Sequence, residues 1–452
     1  MTGRRLVAPL AIGLALIVSA CSGFEVGPTS RPPGATSPDP VGSGASAGPS
    51  TDAPGIAPTA GDAGSSPGSE RPELGGELVI WVDDARASIL KPLADGFAAD
   101  NGVTVTVEAV SENMVPNFLT ASQAGVAPDI VAASHDAIGQ LVANDAIRPV
   151  DIPAGVDLDP LAIAGMTYEG KLYGIPDSVE NVALYLATGL VTTCPATMED
   201  LIATGRKLRD DGETSEIMAL PVGPAGQARA IYPLFASGGG TFFGRTATGD
   251  LDPGRVTLDS AASIDAGKRL RSIGEKGAKA LKTAIDDATA RSLFLDGKAA
   301  FLVAGSDARV AIEKAAIPFD ICPIPRWREG GPADPLVDVA GYFLSTKGQN
   351  TTLADAFARE VLLAPETQLA SYRALGRRPA TLTAIADAGA TDPTVAKFRA
   401  AAEGGVVVPP IPQMALVWGP FGIAEAALVR GADVRASLEA AAATIRDGIA
   451  LQ

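Results

Sequence analysis

The chain has 452 residues, 46% hydrophobic, with 36 Lys and Arg against 52 Asp and Glu and a formal charge of −16. Past the first five residues there is no basic block, which weighs against nucleic-acid binding and against electrostatic attachment to an anionic membrane surface. A single histidine, His135, weighs against a zinc site and a histidine-based triad, and no metal or cofactor is expected.

Arg4 and Arg5 precede an apolar run from Leu6 to Val18, of signal-peptide length and short for a membrane span. The run ends Val18-Ser19-Ala20-Cys21, which resembles the lipobox of bacterial lipoproteins. Residues 1–20 are therefore expected to be a signal peptide and Cys21 a lipidated N-terminus, held to a membrane without spanning it. An ordinary secretory signal with an incidental cysteine is the alternative. Residues 21–73 continue with little but Gly, Pro, Ala, Ser and Thr. Such a composition cannot bury enough apolar area to offset its ordering entropy, so a disordered tether is expected, reaching about 40 Å. The remaining ~380 residues exceed what one hydrophobic core serves, and two lobes are the expectation.

From Glu77 strand-like and helix-like stretches alternate. Leu78 to Val82 is an apolar run of buried-strand length, with Trp81 in its core. Ser88 is placed to cap a helix carrying Ile89, Leu90, Leu93 and Phe97 and ending at Asn101-Gly102. Val103, Val105 and Val107 then alternate with polar residues as in a half-buried strand. A helix over 116–124, the strand PDIVAAS and the helix DAIGQLVAN complete a βαβα rhythm, which argues for an α/β layer with a largely parallel sheet. Further on, Thr197 caps MEDLIATGRKLRD with Asp200 three residues later. Helices are expected over 260–273 and 288–295, with a strand in AAFLVAG. Alanine-rich helices follow over 353–374 and 432–451. Cys194 and Cys322, each followed by proline, suggest a disulfide in an oxidising compartment, two buried thiols being the alternative.

Three distant positions carry groups suited to gripping a polyhydroxylated small molecule. Asp136 and Glu180 can accept hydrogen bonds from neighbouring hydroxyls, and Trp418 offers a flat apolar face. Two have a plain alternative, a helix cap for Asp136 and a core ring for Trp418, while Glu180 follows a strand-like run with no obvious partner nearby. Gly238-Gly239-Gly240 lacks the Lys-Ser/Thr of a phosphate loop. No nucleophile elbow accompanies His135. Capture is therefore expected rather than chemistry, although Asp136 and Glu180 leave a glycan hydrolase open.

The phrases GELVIWV, APDIVAASHD, YEGKLYGIPDSVENVALYLATGLV, YPLFASGGG, FLDGKAAFLVAG and IPQM with its following tryptophan occur in this order from about Gly76 to the C-terminus. Together they resemble the maltose-binding-protein branch of bacterial extracellular solute-binding proteins, the receptors of carbohydrate ABC importers. The resemblance implies an α/β periplasmic-binding-protein fold, type II-like, in which two lobes close on ligand at a hinge. It implies lobe 1 over 74–180 and 323–376, lobe 2 over 181–322 and 377–452, and a monomer. Its partners would be a carbohydrate ligand, ABC permease subunits and, through the lipid anchor, the membrane. Ligand contacts carried over are Asp136, Glu180 and Trp418, with Asp84 and Arg86 in a loop whose register is open by one residue. Ala133, Arg229 and Asp307 fall where maltodextrin binders have rings, which favours a short or polar sugar. Arg229 and Asp307 are also placed to form an ion pair across the cleft, which keeps a charged non-sugar solute in view. Tyr342 is placed to face the cleft or pack in its strand. Arg377 and Arg378 could reach the hinge or solvate a loop, and Trp327 could line the cleft mouth.

Overall fold

The computed structural model describes residues 74–451; the expected signal peptide, Cys21 and the tether lie outside the described residues. Two sheets organise the chain. The first runs Thr104–Ala109, Glu77–Val82, Ile130–Ser134, Leu336–Leu344, Gly174–Asn181, with Val406–Val407 extending it beside residues 336–337. Glu77–Val82 is parallel to both its neighbours, while Leu336–Leu344 is antiparallel to Ile130–Ser134 and to Gly174–Asn181. The expected largely parallel sheet is thus mixed. Leu336–Leu344 is the long strand that runs against the others; it arrives from the other sheet, so the helical crossover that makes neighbours parallel does not constrain it. In the second sheet Ala183–Ala187 lies between Phe301–Ala304 and Phe319–Cys322, antiparallel to both.

Strand alternation gives each sheet two apolar faces. Leu78, Ile80, Val82, Ala132, Tyr342 and Leu344 pack with Leu90, Ala94 and Phe97 of the helix Asp84–Asn101 and with Leu353 and Phe357. Val131, Val339 and Phe343 point the other way, against Phe118, Leu141 and Met166. In the second sheet Leu184 and Leu186 enter a core with Met198, Leu234, Phe235 and Phe421, while Tyr185 meets Phe294 and Phe398 on the opposite side.

The first helix begins earlier than Ser88. Asp83, in extended backbone, accepts the Arg86 N–H at 3.0 Å and is the cap. Ser88 lies a turn inside and bonds back to the Ala85 carbonyl. At Gly102 the left-handed backbone (φ 66°) ends the helix where Asn101-Gly102 predicts. Thr197 caps Met198–Asp210 by accepting the Asp200 N–H, and Ser260 caps Ala261–Ile273. The alanine-rich run over 353–374 is broken into Thr351–Phe357, a π-turn Ala358–Leu362 and Pro365–Leu375. Trp81, on the far face of its strand from the buried Leu78, Ile80 and Val82, is only half-buried, and its indole N–H donates to Glu108 at 2.6 Å. Trp327 is buried in the second-lobe core and donates to the Leu234 carbonyl, so it lines no cleft mouth.

Two details depart from the expected lobe boundaries. Residues 323–335 pack with the second lobe, through Ile324, Trp327 and Ala333. Val406–Val407 returns to the first sheet before the chain enters Trp418–Val429 and Val434–Ala450. Cys194 and Cys322 are bonded, with Cα atoms 5.9 Å apart, and close a loop of 128 residues. In the chain-entropy account such a loop contributes about 5 kcal/mol. Among the described residues no helix is long and apolar enough to cross a membrane.

Candidate functional site

Between the sheets the chain passes through Val182 alone, again over 323–335, and again after Val407. Beyond the carboxyl ends of the three parallel strands lies a cleft of about 440 Å³, the place where open α/β sheets hold ligands. Asp83 and Arg86 enter it from the start of the first helix, Ser111 from the loop after Thr104–Ala109, and Ser134 from the end of Ile130–Ser134. Asp338 comes from Leu336–Leu344, Glu180 from the end of Gly174–Asn181, Arg377 from the segment after Pro365–Leu375, and Arg229 from the helix Ala228–Ser237. Larger hollows elsewhere, of about 630 and 530 Å³, lie beside the disulfide and around Arg309 and Asp392. The first is lined mainly by proline, alanine and isoleucine; in the second Arg309 is already paired with Glu313 and Asp392.

Every arginine of the cleft has carboxylate partners. Arg86 pairs with Asp83 and, at 3.2 Å, with Asp177. Burial works to lower its pKa, but Asp177, Tyr342 and Asp83 together hold it above the ordinary value. Arg377 approaches Glu180 at 3.4 Å, and the Ser178 hydroxyl donates to the same Glu180 oxygen at 3.1 Å. Burial pushes the Glu180 carboxyl up; Arg377 and Arg86 oppose this and Asp307 adds to it. Arg229 makes a two-pronged bond to Asp338, at 2.7 and 3.0 Å, and a third bond to Asp136 at 3.1 Å. Its guanidinium lies 4.3 Å from the centre of the Trp418 ring.

The sequence reading is met unevenly. Arg86, Glu180 and Arg229 line the cleft. Asp136 and Trp418 reach it through Arg229. Asp83 takes the place expected of Asp84, which is exposed and touches the cleft only through the hydroxyl of Ser111; the open register resolves by that one residue. Tyr342 is buried in the first-lobe core beneath Arg86, a packed strand residue. No Arg229–Asp307 pair forms: Asp307 bonds Arg291 at 2.7 Å, because Arg229 is drawn across the cleft to Asp338. Arg378 solvates nothing; it is buried against Asp159 at 3.1 Å.

Asp338 and Asp177 went unread. The signal for Asp338 is visible in LVDVAGYFL, where one carboxylate interrupts an otherwise apolar strand. His135 is fully buried; its Nδ1 accepts the Val339 N–H at 3.0 Å, so Nε2 carries the proton and donates to the Val408 carbonyl at 2.7 Å. It ties three segments together and has no chemistry to do. Among the described residues no group of His, Cys, Asp and Glu is arranged to hold a metal ion.

Residues 92–397 match the family described as bacterial extracellular solute-binding protein. The chain is 25% identical over 399 residues to a galactooligosaccharide-binding protein of Bacillus subtilis, covering 83% of this chain and 90% of that one. It is 26% identical over 357 residues to the maltodextrin-binding protein MdxE of the same organism, covering 75% and 82%. A solved structure of the Thermus thermophilus maltotriose binding protein bound with maltotriose superposes with a TM-score of 0.72 at 26% identity, covering 82% of this chain and all of that one.

Proposed function

The chain belongs to the bacterial extracellular solute-binding proteins, and we propose that it captures a short carbohydrate, a disaccharide or a sugar derivative, and delivers it unaltered to the permease of an ABC importer. The observation that carries this reading is the wall of the cleft. It presents three carboxylates, of Asp83, Glu180 and Asp338, interleaved with three guanidinium groups and two hydroxyls, and no aromatic ring. A carboxylate accepts from two vicinal hydroxyls at once, and an arginine fork donates to ring and glycosidic oxygens. A long glucan would want stacking faces that this wall lacks. The relatives, which are named for galactooligosaccharides, maltodextrin and maltotriose, support a sugar ligand.

A ligand shifts the two lobes toward the closed form only by as much as its contacts there are better than in the open form. The protein would act as a monomer outside the cytoplasm, anchored through lipidated Cys21 on the 21–73 tether. Mass analysis of the mature N-terminal peptide tests the anchor: an unmodified Cys21 sinks it. Calorimetric titration with galacto- and maltooligosaccharides of two to four units, and with charged solutes, tests the ligand class. We expect a short sugar to bind and be recovered intact, and Glu180→Gln to weaken it about tenfold or more by removing an acceptor. Binding only of charged solutes, or cleavage of the sugar, overturns the reading.

A further inference from the structure

Arg229 does more than line the cleft. Its helix, Ala228–Ser237, is built into the second-lobe core through Ala228, Ala230, Ile231, Leu234 and Phe235. Its two carboxylate partners both belong to the first lobe: Asp338 on a first-sheet strand, and Asp136 in the turn that follows another. One guanidinium thus enters a two-carboxylate socket across the gap. Neither carboxylate has another ion-pair partner among the described residues, so withdrawing Arg229 would leave two like charges sharing its place. The flat face of the same group covers Trp418, whose own contacts to Phe242 seat it in the second lobe. Edge and face of the guanidinium are both engaged, as a rigid planar cation allows and an ammonium does not.

We propose that Arg229 is an interlobe clasp that occupies the ring platform of Trp418, and so sets the length of sugar the cleft accepts by confining it to the half lined by Asp83, Arg86, Ser111, Glu180 and Arg377. The confinement rests on the carbohydrate reading above; the clasp does not. A third of the Arg229 side chain remains exposed, so the clasp is within reach of screening by salt.

Paired spin labels at Lys91 and Lys268, exposed residues of the first and second lobes, report the interlobe distance in the full chain without added sugar. At low salt Arg229→Ala is expected to lengthen that distance by several ångströms. Asp338→Asn, which leaves the arginine in place, is expected to shift it in the same direction. High salt should lengthen it in the native protein and leave Arg229→Ala unmoved. A distance that neither substitution nor salt changes overturns the clasp. Titration with maltose and maltotetraose then tests the confinement: freeing the Trp418 face in Arg229→Ala should shift relative affinity about tenfold toward the longer sugar. An unchanged ratio overturns it. If neither sugar binds either protein, and galactooligosaccharides of two and four units do not either, the carbohydrate reading and the confinement fail, while the distances still decide the clasp.

Discussion

Glu425 is buried completely on the helix Trp418–Val429, where one oxygen accepts the Gln227 N–H and the other has no hydrogen-bond partner among the described residues. Burial pushes its carboxyl well above the ordinary value of 4.5, against the pull of the Gln227 amide. The fold therefore favours the protonated form, and the stability this contributes is full below about pH 4.5 and is lost as pH rises through the raised pKa. Glu425→Gln, always neutral, removes that loss, so its melting temperature should gain on the native protein as pH rises from about 4.5 across the neutral span. Parallel melting curves across that span would contradict this. Asp159 offers a second test. It pairs with the buried Arg378 and also caps the helix Pro160–Met166 by accepting the Leu161 N–H at 2.8 Å. Asp159→Ala leaves a guanidinium buried without a counter-charge and should cost about 3–5 kcal/mol in urea unfolding. A loss below about 1 kcal/mol, the scale of a surface pair, would show that Arg378 finds water. Of these two residues the sequence says nothing. A glutamate among alanines reads as a solvated helix face, and only packing reveals that Gln227 lies over it.

At the scale of elements, the turn before Ala228–Ser237 decides where Arg229 points. Gly226 there has φ 85°, a left-handed conformation, and a Cβ on it would meet the Gly422 carbonyl oxygen at 2.0 Å. Gly226→Ala should therefore destabilise by at least about 1 kcal/mol, from strain and overpacking together. It should also lengthen the interlobe distance by displacing the clasp. A variant with native stability and native distance would show that the turn yields freely. Elements like this one were unevenly legible. The cap at Thr197 and the stop at Gly102 were visible because a side-chain oxygen or a missing Cβ acts on neighbours two to four residues away. Ser88 competed with Asp83 for the same role, and the choice fell to Asp83 because Arg86, which it also binds, is fixed by Asp177 ninety-one residues on. The alanine-rich stretch over 353–374 gave no hint of its π-turn, since alanine suits any helical register.

Across the whole molecule, binding and closure are one equilibrium. A sugar at 100 times its dissociation constant should raise the unfolding free energy by about 2.7 kcal/mol, seen as a thermal shift, with the lobes drawn together in scattering. A rigid particle whose scattering is the same with and without a binding sugar would refute hinge capture. Much of this scale lay open in the order of the chain's phrases. Apolar runs and alternation pointed to the strands around Leu78 and Val105, and local caps to several helix ends. Asp83, Arg86, Glu180 and Arg229 were within one residue of being placed. The tertiary structure alone decided the partners: Arg229 with Asp338 rather than Asp307, Tyr342 beneath Arg86, Val406–Val407 back in the first sheet. Local patterning acts through neighbours within a turn or a strand repeat and is written in sequence. Pairing of charges across a cleft depends on distances set by two separately packed cores, and no short stretch of sequence contains both.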